Sequence, residues 1–503
     1  MRYVLSREQA KALDAFAMQT AGVPSLALME EAAMALAQEA EAMLPAGGRA
    51  LAVCGNGNNR ADGLAALRIL AARGYRTCAA LVSGVTGSAE FEAQLACLPA
   101  MGTEVKTGLA PEDVSGADLV IDAVFGIGLT RPVEGEQRRA VELMNAGDVP
   151  VLAADIPSGV DGSTGAVLGC AVRAAKTVTF GPEKIGLLQY PGAELAGSIV
   201  RAPLCYTAEM ISAAQPGYFC LEKEDLKALP ARPQGGHKGT FGRVLVIAGQ
   251  KNMAGASVLC ARAAMRAGAG LVRVLAPEDN RLILQTALPE AVVGTYVPET
   301  FSVEDVKEML AWADVIVMGP GLGSGGHVRA LLNYVLQYTK VPLVLDADAL
   351  NAIAREPGLL ALAAGRAVLT PHPGEMARLC GLDAKTVTEK RAVLAESFAR
   401  ENGVVLLLKG ARSLIARPSG PVCVNLTGNS GMASGGSGDV LTGVIGGLVA
   451  GGADLFDGAC LGAMACGLAG EAAAQTVGER AMLASDQLDG LARVFREAEE
   501  TWK

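Results

Sequence analysis

The chain has 503 residues, a formal net charge of −9, 51% hydrophobic residues and only 4% aromatic residues. This length exceeds what one hydrophobic core usually supports, so two domains are predicted. The acidic balance argues against a general nucleic-acid binder. No apolar run is long enough and free enough of glycine and charge to span a bilayer. We therefore expect no nucleic-acid partner and no membrane partner.

The cysteines and histidines do not suggest a metal centre. Eleven cysteines are scattered without a Cys-x-x-Cys pair, and the three histidines lie far apart in the sequence. Small, reduced, buried thiols are typical of cytoplasmic proteins. A cytoplasmic location and no zinc site are predicted.

The first block of the chain alternates short apolar strands with helices. Ser6 and Gln9 form a capping-box pattern that opens an amphipathic helix. Apolar runs predict strands at 51–54, 77–82, 119–124, 151–154 and 177–180, and a helix at 63–73. Continuous apolar strands separated by helices predict a parallel sheet covered on both faces.

Polar and glycine-rich segments follow three of these strands, at 55–63, 122–132 and 155–159. Ligands of such sheets bind outside the carboxyl ends of the strands. The Gly-x-Gly of the first segment is a weak dinucleotide signal by itself, because the full spacing is missing. Three oxygen donors at these strand ends, Asn59, Asp122 and Ser158, are suited to ring a monovalent cation.

The alternating pattern lapses between about 203 and 242 and then restarts. We place the domain boundary there, which gives domains at 1–215 and 216–503. The second block predicts strands at 244–247, 271–275, 315–318, 343–345, 368–369 and 404–408, and a helix at 256–267.

Polar loops follow the strands of this block as well, at 319–323, 346–350, 370–375 and 409–413. Each alone is most simply a tight turn. Together they place polar and glycine residues at consecutive strand ends, which favours a binding site.

The segment 429–443 carries the most chemistry. Its glycines lead to Asp439, and Val440, Val444 and Leu448 then form a helical stripe, so Asp439 is predicted at or just before a helix start. Glycine N–H groups and a helix N-terminus suit a phosphoryl group, and a carboxylate there suits a base for an attacking hydroxyl. The alternative is a flexible loop with an aspartate N-cap.

The second block resembles the ADP/ATP-dependent NAD(P)H-hydrate dehydratases, which are ribokinase-like α/β proteins. The motifs that carry the resemblance are at 237–247, 255–256, 266–272, 319–323, 346–350, 372–375, 409–410 and 435–439. The resemblance implies that Asp439 is the base and that Ala256, Gly323 and His372 contact the hydrate. It also implies that Lys409, Gly410, Ala411, Arg412, Ser413 and Gly438 bind the adenine nucleotide.

The first block resembles the NAD(P)H-hydrate epimerases, which are Rossmann-like three-layer α/β sandwiches. The motifs are at 29–33, 58–63, 122–132, 155–159 and 184–192. The resemblance implies an acid/base role for Asp155 and a potassium site at Asn59, Asp122 and Ser158. The implied hydrate-binding residues are Asn58, Asn59, Arg60, Ala61, Asp62, Gly126, Ile127, Gly128, Leu129, Thr130, Arg131 and Pro132.

One position departs from the epimerase pattern, because Arg60 and Ala61 stand where two glycines are usual. If either position needed a left-handed backbone, a side chain there would cost about 1–2 kcal/mol. Either the loop is shifted, or Arg60 reaches a substrate phosphate.

The two resemblances together imply an enzyme of nicotinamide nucleotide repair. It would interconvert the R and S hydrates, NADHX and NADPHX, and dehydrate the S form with ADP as phosphoryl donor, Mg²⁺ arriving with the nucleotide and K⁺ in the first block. We expect a homo-oligomer. Two alternatives are a dehydratase whose first block is a non-catalytic nucleotide-binding or oligomerisation module, and a ribokinase-like kinase of a small alcohol.

Overall fold

The computed structural model describes residues 1–500 of the chain. The chain folds as two compact units, Tyr3–Tyr218 and Phe219–Lys503, the latter together with Met1–Arg2. Among the described residues, no helix combines the length and the apolar character that crossing a bilayer requires.

The first unit alternates strands and helices along most of its length. After β1 (Arg2–Val4), its strands are β2 (Arg49–Cys54), β3 (Arg76–Leu81), β4 (Glu104–Thr107), β5 (Leu119–Ala123), β6 (Val151–Ala154), β7 (Lys176–Phe180) and β8 (Ser198–Ala202). Its helices are α1 (Arg7–Gln19), α2 (Ser25–Met43), α3 (Asn59–Ala72), α4 (Ala89–Cys97), α5 (Pro111–Ser115), α6 (Gly135–Ala146), α7 (Ile185–Leu188), α8 (Gly192–Leu195) and α9 (Ala208–Ala213). The predicted capping box at Ser6 and Gln9 is confirmed at the start of α1.

The strands form one parallel sheet in the order β4-β3-β2-β5-β6-β7-β8. The chain runs outward from β2 in one direction through β3 and β4, and in the other through β5 to β8. This is the Rossmann arrangement, in which the loops after β2 and β5 diverge at a switch point where ligands bind.

Helices cover both faces of this sheet because the strand residues alternate between two cores. In β2, Ala52 and Cys54 pack in the core that contains α2 and α3. Leu51 and Val53 pack in the opposite core, which contains residues of α5 and α6. The predicted three-layer α/β fold is confirmed.

The second unit contains the larger sheet. Its strands are β9 (Tyr218–Cys220), β10 (Arg243–Ile247), β11 (Leu271–Pro277), β12 (Val292–Tyr296), β13 (Val315–Met318), β14 (Leu343–Leu345), β15 (Ala367–Leu369), β16 (Val405–Leu408), β17 (Leu414–Ala416) and β18 (Val422–Val424). Its helices are α10 (Ala254–Arg266), α11 (Arg281–Ala287), α12 (Lys307–Trp312), α13 (Gly326–Tyr338), α14 (Ala347–Arg355), α15 (Pro373–Cys380), α16 (Ala384–Glu389), α17 (Arg391–Asn402), α18 (Ser437–Ala450), α19 (Leu455–Val477) and α20 (Ala484–Glu500).

The strands of this unit follow the order β9-β18-β17-β16-β15-β14-β13-β10-β11-β12. Strands β10 to β16 pair in parallel, whereas β16, β17 and β18 pair antiparallel. The antiparallel pair β16 and β17 is a hairpin, and its turn is the segment 409–413.

Helices α10 and α18 pack closely because glycines of α18 face α10. A side-chain carbon on Gly443 would lie 2.1 Å from the Cys260 carbonyl oxygen, and one on Gly447 would lie 2.6 Å from that of Ala264. The residue further along α18 contacts the residue further along α10, so the two helices run in the same direction and begin at the same end. The predicted stripe of α18 is confirmed, because Val440, Val444 and Leu448 are buried in one core.

Candidate active sites

A cavity of about 620 Å³ opens at the carboxyl ends of the strands of the first unit. Its wall is formed by the segments after β2, β5 and β6 and by residues of α1 and α2. Among the residues predicted to bind the hydrate or act on it, those that line the cavity are Asn58, Asn59, Asp62, Gly126, Ile127, Gly128, Leu129, Thr130, Arg131 and Asp155.

Asp155 is held in a fixed position at this cavity. Its backbone has a φ of 65°, in the left-handed region, which costs a non-glycine residue energy and persists only where the surrounding structure enforces it. The Lys184 ammonium group donates a 2.5 Å hydrogen bond to Asp155 Oδ1, and the Phe180 N–H donates a 3.0 Å bond to the same oxygen. Lys184 also donates to the Phe180 carbonyl oxygen at 2.7 Å, so its charge is neutralised within a buried network.

Two further acidic side chains line the same cavity, Asp62 and Asp14. Burial raises the pKa of the Asp62 carboxyl well above its usual value, and the negative charges of Asp155 and Asp14 raise it further. Burial also raises the pKa of Asp14, although a 2.6 Å hydrogen bond from the Tyr206 hydroxyl opposes this effect. The cavity therefore places a carboxyl group of raised pKa beside the Asp155–Lys184 pair, an arrangement that suits proton transfer.

Behind the cavity wall, the predicted cation ligands Asp122 and Ser158 are in direct contact. The Ser158 hydroxyl donates to Asp122 Oδ1 at 2.5 Å, and the Ser158 N–H donates to Oδ2 at 2.7 Å. Asp122 is fully buried, and burial raises its pKa to about 6. The Asn59 amide nitrogen donates to the Ala154 carbonyl oxygen at 3.1 Å, which leaves the amide oxygen as a possible ligand.

Arg60 and Ala61 do not line the cavity, and neither does Pro132. Both Arg60 and Ala61 lie in the first turn of α3, and the positive φ of this segment falls on Gly57 instead. The departure from the glycine pattern therefore causes no left-handed strain. The Arg60 guanidinium lies 3.7 Å from the centre of the Phe91 ring and donates to the Thr86 carbonyl oxygen at 2.8 Å. The expectation that Arg60 reaches a substrate phosphate is not supported, because these contacts direct its side chain toward the protein interior and away from the cavity.

In the second unit, Asp439 is the third residue of α18, slightly further into the helix than predicted. Burial raises the pKa of its carboxyl to about 7, the charge of Asp346 raises it further, and the charge of Lys409 opposes both. A carboxylate with this pKa at a helix N-terminus suits a base that acts near neutral pH.

A chain of charged contacts connects Asp346, Lys409 and Glu375. The Lys409 ammonium group donates to Asp346 Oδ1 at 2.7 Å and lies 3.9 Å from Glu375 Oε2. The other oxygen of Asp346 accepts a 3.0 Å hydrogen bond from the Thr442 hydroxyl of α18. Asp346 is only 2% exposed, so its two oxygens are committed to fixing Lys409 against the start of α18.

His372 is the N-cap of α15 and is held by the same network. Its backbone N–H donates to Glu375 Oε2 at 2.8 Å, and its Nδ1 accepts from the Gly374 N–H at 3.0 Å. Its imidazole is half exposed, and its Nε2 lies 3.4 Å from Glu375 Oε1.

The loop 319–323 lies against the start of α10. A side-chain carbon on Gly321 would lie 3.0 Å from the Ala256 side chain. The Gly323 N–H donates a 2.7 Å hydrogen bond to Asp348 Oδ2, which fixes the end of the loop. Helices α10 and α18 begin at the same end of the sheet. Ala256 and Gly323 therefore lie at the same end of the sheet as Asp439.

Two of the predicted nucleotide-binding residues, Lys409 and Gly438, lie close together at the start of α18. A side-chain carbon on Gly438 would lie 3.4 Å from the Lys409 ammonium nitrogen and 3.6 Å from Asp346 Oδ2. Lys409 and the first turn of α18 are therefore in close proximity at Gly438. Residues 409–413 form the hairpin turn beside it.

Comparison with known proteins covers both units. Residues 244–493 match the family model described as NAD(P)H-hydrate dehydratase, and residues 25–186 match the one described as YjeF-related protein N-terminus. The bifunctional NAD(P)H-hydrate repair enzyme Nnr of Moorella thermoacetica is 38% identical over 99% of this chain and 97% of its own length. The chain belongs to the bifunctional NAD(P)H-hydrate repair enzyme family.

A second relative and a solved structure agree with this assignment. The repair enzyme Nnr of Escherichia coli K12 is 35% identical over 94% of this chain and 90% of its own length. A solved ribokinase-like superfamily protein from Enterococcus faecalis V583 is 28% identical, covers 56% of this chain and 96% of its own, and superposes with a TM-score of 0.51. The ribokinase-like fold predicted for the second unit is confirmed.

Several residues placed at the two sites of this repair-family chain were not assigned a role from the sequence. They are Asp14, Lys184 and Tyr206 in the first unit and Asp346, Glu375 and Thr442 in the second. The position of Lys184 shortly after β7 was a usable signal, because the other strand ends of this sheet also carry polar site residues. Asp14 and Tyr206 carry no such signal, because they lie outside these loops.

Proposed function

We propose that this chain epimerises the R and S hydrates of NADH and NADPH and dehydrates the S form with ADP, giving NAD(P)H, AMP and phosphate. The predicted domains 1–215 and 216–503 carry the two activities in this order. The observation that supports the dehydratase most directly is the placement of Asp439, Asp346 and Lys409 at one helix N-terminus.

In the dehydratase unit, we propose that Asp439 takes the proton from the hydrate hydroxyl as that oxygen attacks the β-phosphorus of ADP. The acceptor is a carboxylate whose pKa of about 7 lets it bind and release a proton near neutrality. A positioned base of this kind contributes roughly 10²- to 10⁴-fold. The bond between the β-phosphorus and AMP breaks in this transfer. Phosphate is then a better leaving group than hydroxide, and its departure, with loss of a proton from the adjacent ring carbon to solvent, regenerates the dihydronicotinamide.

The nucleotide is proposed to bind at 409–413 and Gly438. The partial positive charge of the α18 N-terminus and the Lys409 ammonium group both favour phosphate there. Since the oxygens of Asp346 are committed to Lys409 and Thr442, no protein ligand for Mg²⁺ is assigned. Mg²⁺ is proposed to arrive with the nucleotide, where it would neutralise phosphate charge.

In the epimerase unit, we propose that Asp155 transfers a proton at the hydrate, with Asn58, Asp62 and the 126–131 loop binding it. The cavity is large enough for a dinucleotide's reactive half and is lined by acidic and amide groups. This geometry argues against a non-catalytic first unit, because the altered turn at Arg60 leaves the cavity and the Asp155–Lys184 pair in place.

A potassium ion is proposed at Asn59, Asp122 and Ser158. The donor set consists of carboxylate, amide and hydroxyl oxygens, which suit a hard cation. Asp122 is buried with hydrogen bonds to neutral groups, so a bound cation would supply the missing positive charge. The ion would hold β5 and the segments after β2 and β6 together.

The proposal is tested by incubating the full chain with racemic NADHX and ADP and resolving both epimers by chromatography while NADH absorbance is followed. Consumption of both epimers, faster than spontaneous epimerisation allows, is expected. Consumption of only the S form would support the proposed dehydratase activity and contradict the proposed epimerase activity.

Two single substitutions, one in each unit, distinguish the two proposed activities. Asp439→Asn is expected to abolish dehydration while epimerisation continues, and Asp155→Asn is expected to do the reverse. Loss of both activities in either variant would indicate misfolding and not a catalytic role.

We further propose a cytoplasmic location and self-association. The eleven cysteines are all free thiols, as in a reducing compartment. Exposed apolar side chains at Leu282, Ile283 and Val292 lie on and beside the edge strand β12 and offer an interface between copies. Light scattering on the purified chain measures the assembly directly.

A further inference from the structure

Arg391, the first residue of α17, lies against the hairpin turn 409–413 in the second unit. One guanidinium nitrogen donates to the Ala411 carbonyl oxygen at 2.9 Å. The other donates to the carbonyl oxygens of Lys409 at 3.4 Å and Arg412 at 3.3 Å. A single side chain from another element therefore holds three of the five peptide groups of this turn.

The glycine of the turn is fitted to this arginine. Gly410 has a φ of 148°, which L-residues with side chains rarely adopt. A side-chain carbon there would also lie 2.8 Å from an Arg391 guanidinium nitrogen. The turn and the guanidinium are thus in contact along the backbone, without room for a side chain between them.

The direction of the carbonyl groups fixes the direction of the N–H groups. In a trans peptide the C=O of one residue and the N–H of the next point in opposite directions. Since the carbonyls of Lys409, Ala411 and Arg412 face Arg391, the N–H groups of Gly410, Arg412 and Ser413 face the opposite side. Successive N–H groups on one side of a turn form an anion-binding concavity.

We propose that Arg391 is a positioning residue of the dehydratase, which orients the backbone N–H groups of 409–413 toward the phosphates of the adenine nucleotide. It does so by binding the carbonyl side of the turn, without touching the nucleotide. This inference rests on the proposed function, because that function assigns the turn to nucleotide binding.

The test measures ADP binding by calorimetry, and dehydratase kinetics, on full-length Arg391→Met. The Kd and the KM for ADP are expected to rise roughly 10- to 100-fold, because a small displacement of binding groups has effects of this size. The kcat at saturating ADP and the KM for the hydrate are expected to change less than about twofold, since Asp439 is untouched. Arg391→Lys is expected to recover only part of the affinity, because an ammonium group does not span three carbonyls.

Controls separate this inference from the proposed function and from misfolding. Arg400 lies on the same helix, and its guanidinium pairs with Glu396 at the surface, so Arg400→Met is expected to bind ADP normally. Calorimetric unfolding of the full chain and the kcat of dehydration at saturating ADP report folding of the second unit in the variant preparation, and if Arg391→Met fails to fold, Arg391→Lys decides. ADP affinity within twofold of the parent in the folded variant overturns the positioning role and leaves the dehydratase intact. If the parent itself binds no adenine nucleotide, the proposed function and this inference both fail.

Discussion

Lys184 and Asp155 form a buried ion pair with 2.5 Å between the ammonium nitrogen and Oδ1. The Lys184 side chain is 3% exposed, and the Asp155 backbone is held in the left-handed region. The pair joins the end of β7 to the end of β6 at the wall of the cavity, so the proposed acid/base group of the epimerase depends on a residue from a different strand.

Replacing Lys184 by Met is expected to stop epimerisation and to destabilise the first unit. Loss of one partner leaves a buried charge unpaired, which costs about 3–5 kcal/mol. Epimerase turnover and calorimetric unfolding of the full chain measure the two effects. Dehydratase activity on the pure S hydrate serves as the control, and normal epimerase turnover in a stable Lys184→Met protein would contradict the expectation.

Dehydratase activity is expected to fall as the pH drops below about 7. The pKa of Asp439 is raised to about 7, and a base acts only in its ionised form. Below this pKa, each unit of pH is expected to lower kcat/KM about tenfold. A profile of kcat/KM against pH with saturating nucleotide measures the inflection.

Asp346→Asn provides a directional check on this profile. The negative charge of Asp346 contributes to the raised pKa of Asp439, so its removal is expected to move the inflection to lower pH. An inflection that moves upward or stays in place would mean that another group controls the profile.

Much of the fold follows from the sequence because the central strands are apolar throughout. Strands β6, β13 and β14 have the predicted bounds, since both faces of each are buried. The edge strands β4 and β8 were missed. They are partly exposed and carry charged residues, so they give no continuous apolar run.

The sites were predictable where they consist of loops that follow central strands. The pairing of Asp14 with Tyr206 was not, because 192 positions separate the two residues and neither lies in a recognisable motif. The conformation of the Arg60 turn was also inaccessible, because only the fold shows that α3 begins before it.

Replacing Arg60 by Ala is expected to lower stability without weakening hydrate binding. The variant loses the contact with the Phe91 ring and the hydrogen bond to Thr86, together worth about 1–3 kcal/mol. The KM of the epimerase for the hydrate is expected to stay within about twofold. Thermal unfolding and epimerase kinetics provide the two measurements.

Arg131 is the matched comparison, because it lines the cavity and Arg60 does not. Arg131→Ala is expected to raise the KM with little loss of stability. If the two variants behaved the other way round, Arg60 and not Arg131 would be the residue that meets the substrate.

Potassium is expected to stabilise the first unit more at about pH 7.5 than at about pH 5. Burial raises the pKa of Asp122 to about 6 from an ordinary value of 3.8, so without a cation the folded chain binds a proton that the unfolded chain has released in this window. Stability without the ion therefore falls as the pH rises through it. Calorimetry in KCl and in choline chloride of equal ionic strength measures the difference.

Asp122→Asn removes the charge on which this effect depends. Its stability is expected to respond equally to both salts at both pH values. A potassium effect in the parent that is as large at low pH as at neutral pH would argue against a cation at this carboxylate.

Asp122 lies within β5, and its register partners are Val53 of β2 and Ala153 of β6. The three proposed ligands thus depend on three neighbouring strands being aligned, and a shift of one residue would turn the carboxylate to the opposite face. Refolded material could be collapsed and helical yet fail to capture the ion. The number of ions bound per chain would then measure the fraction of molecules in which the sheet of the first unit has formed in the correct register.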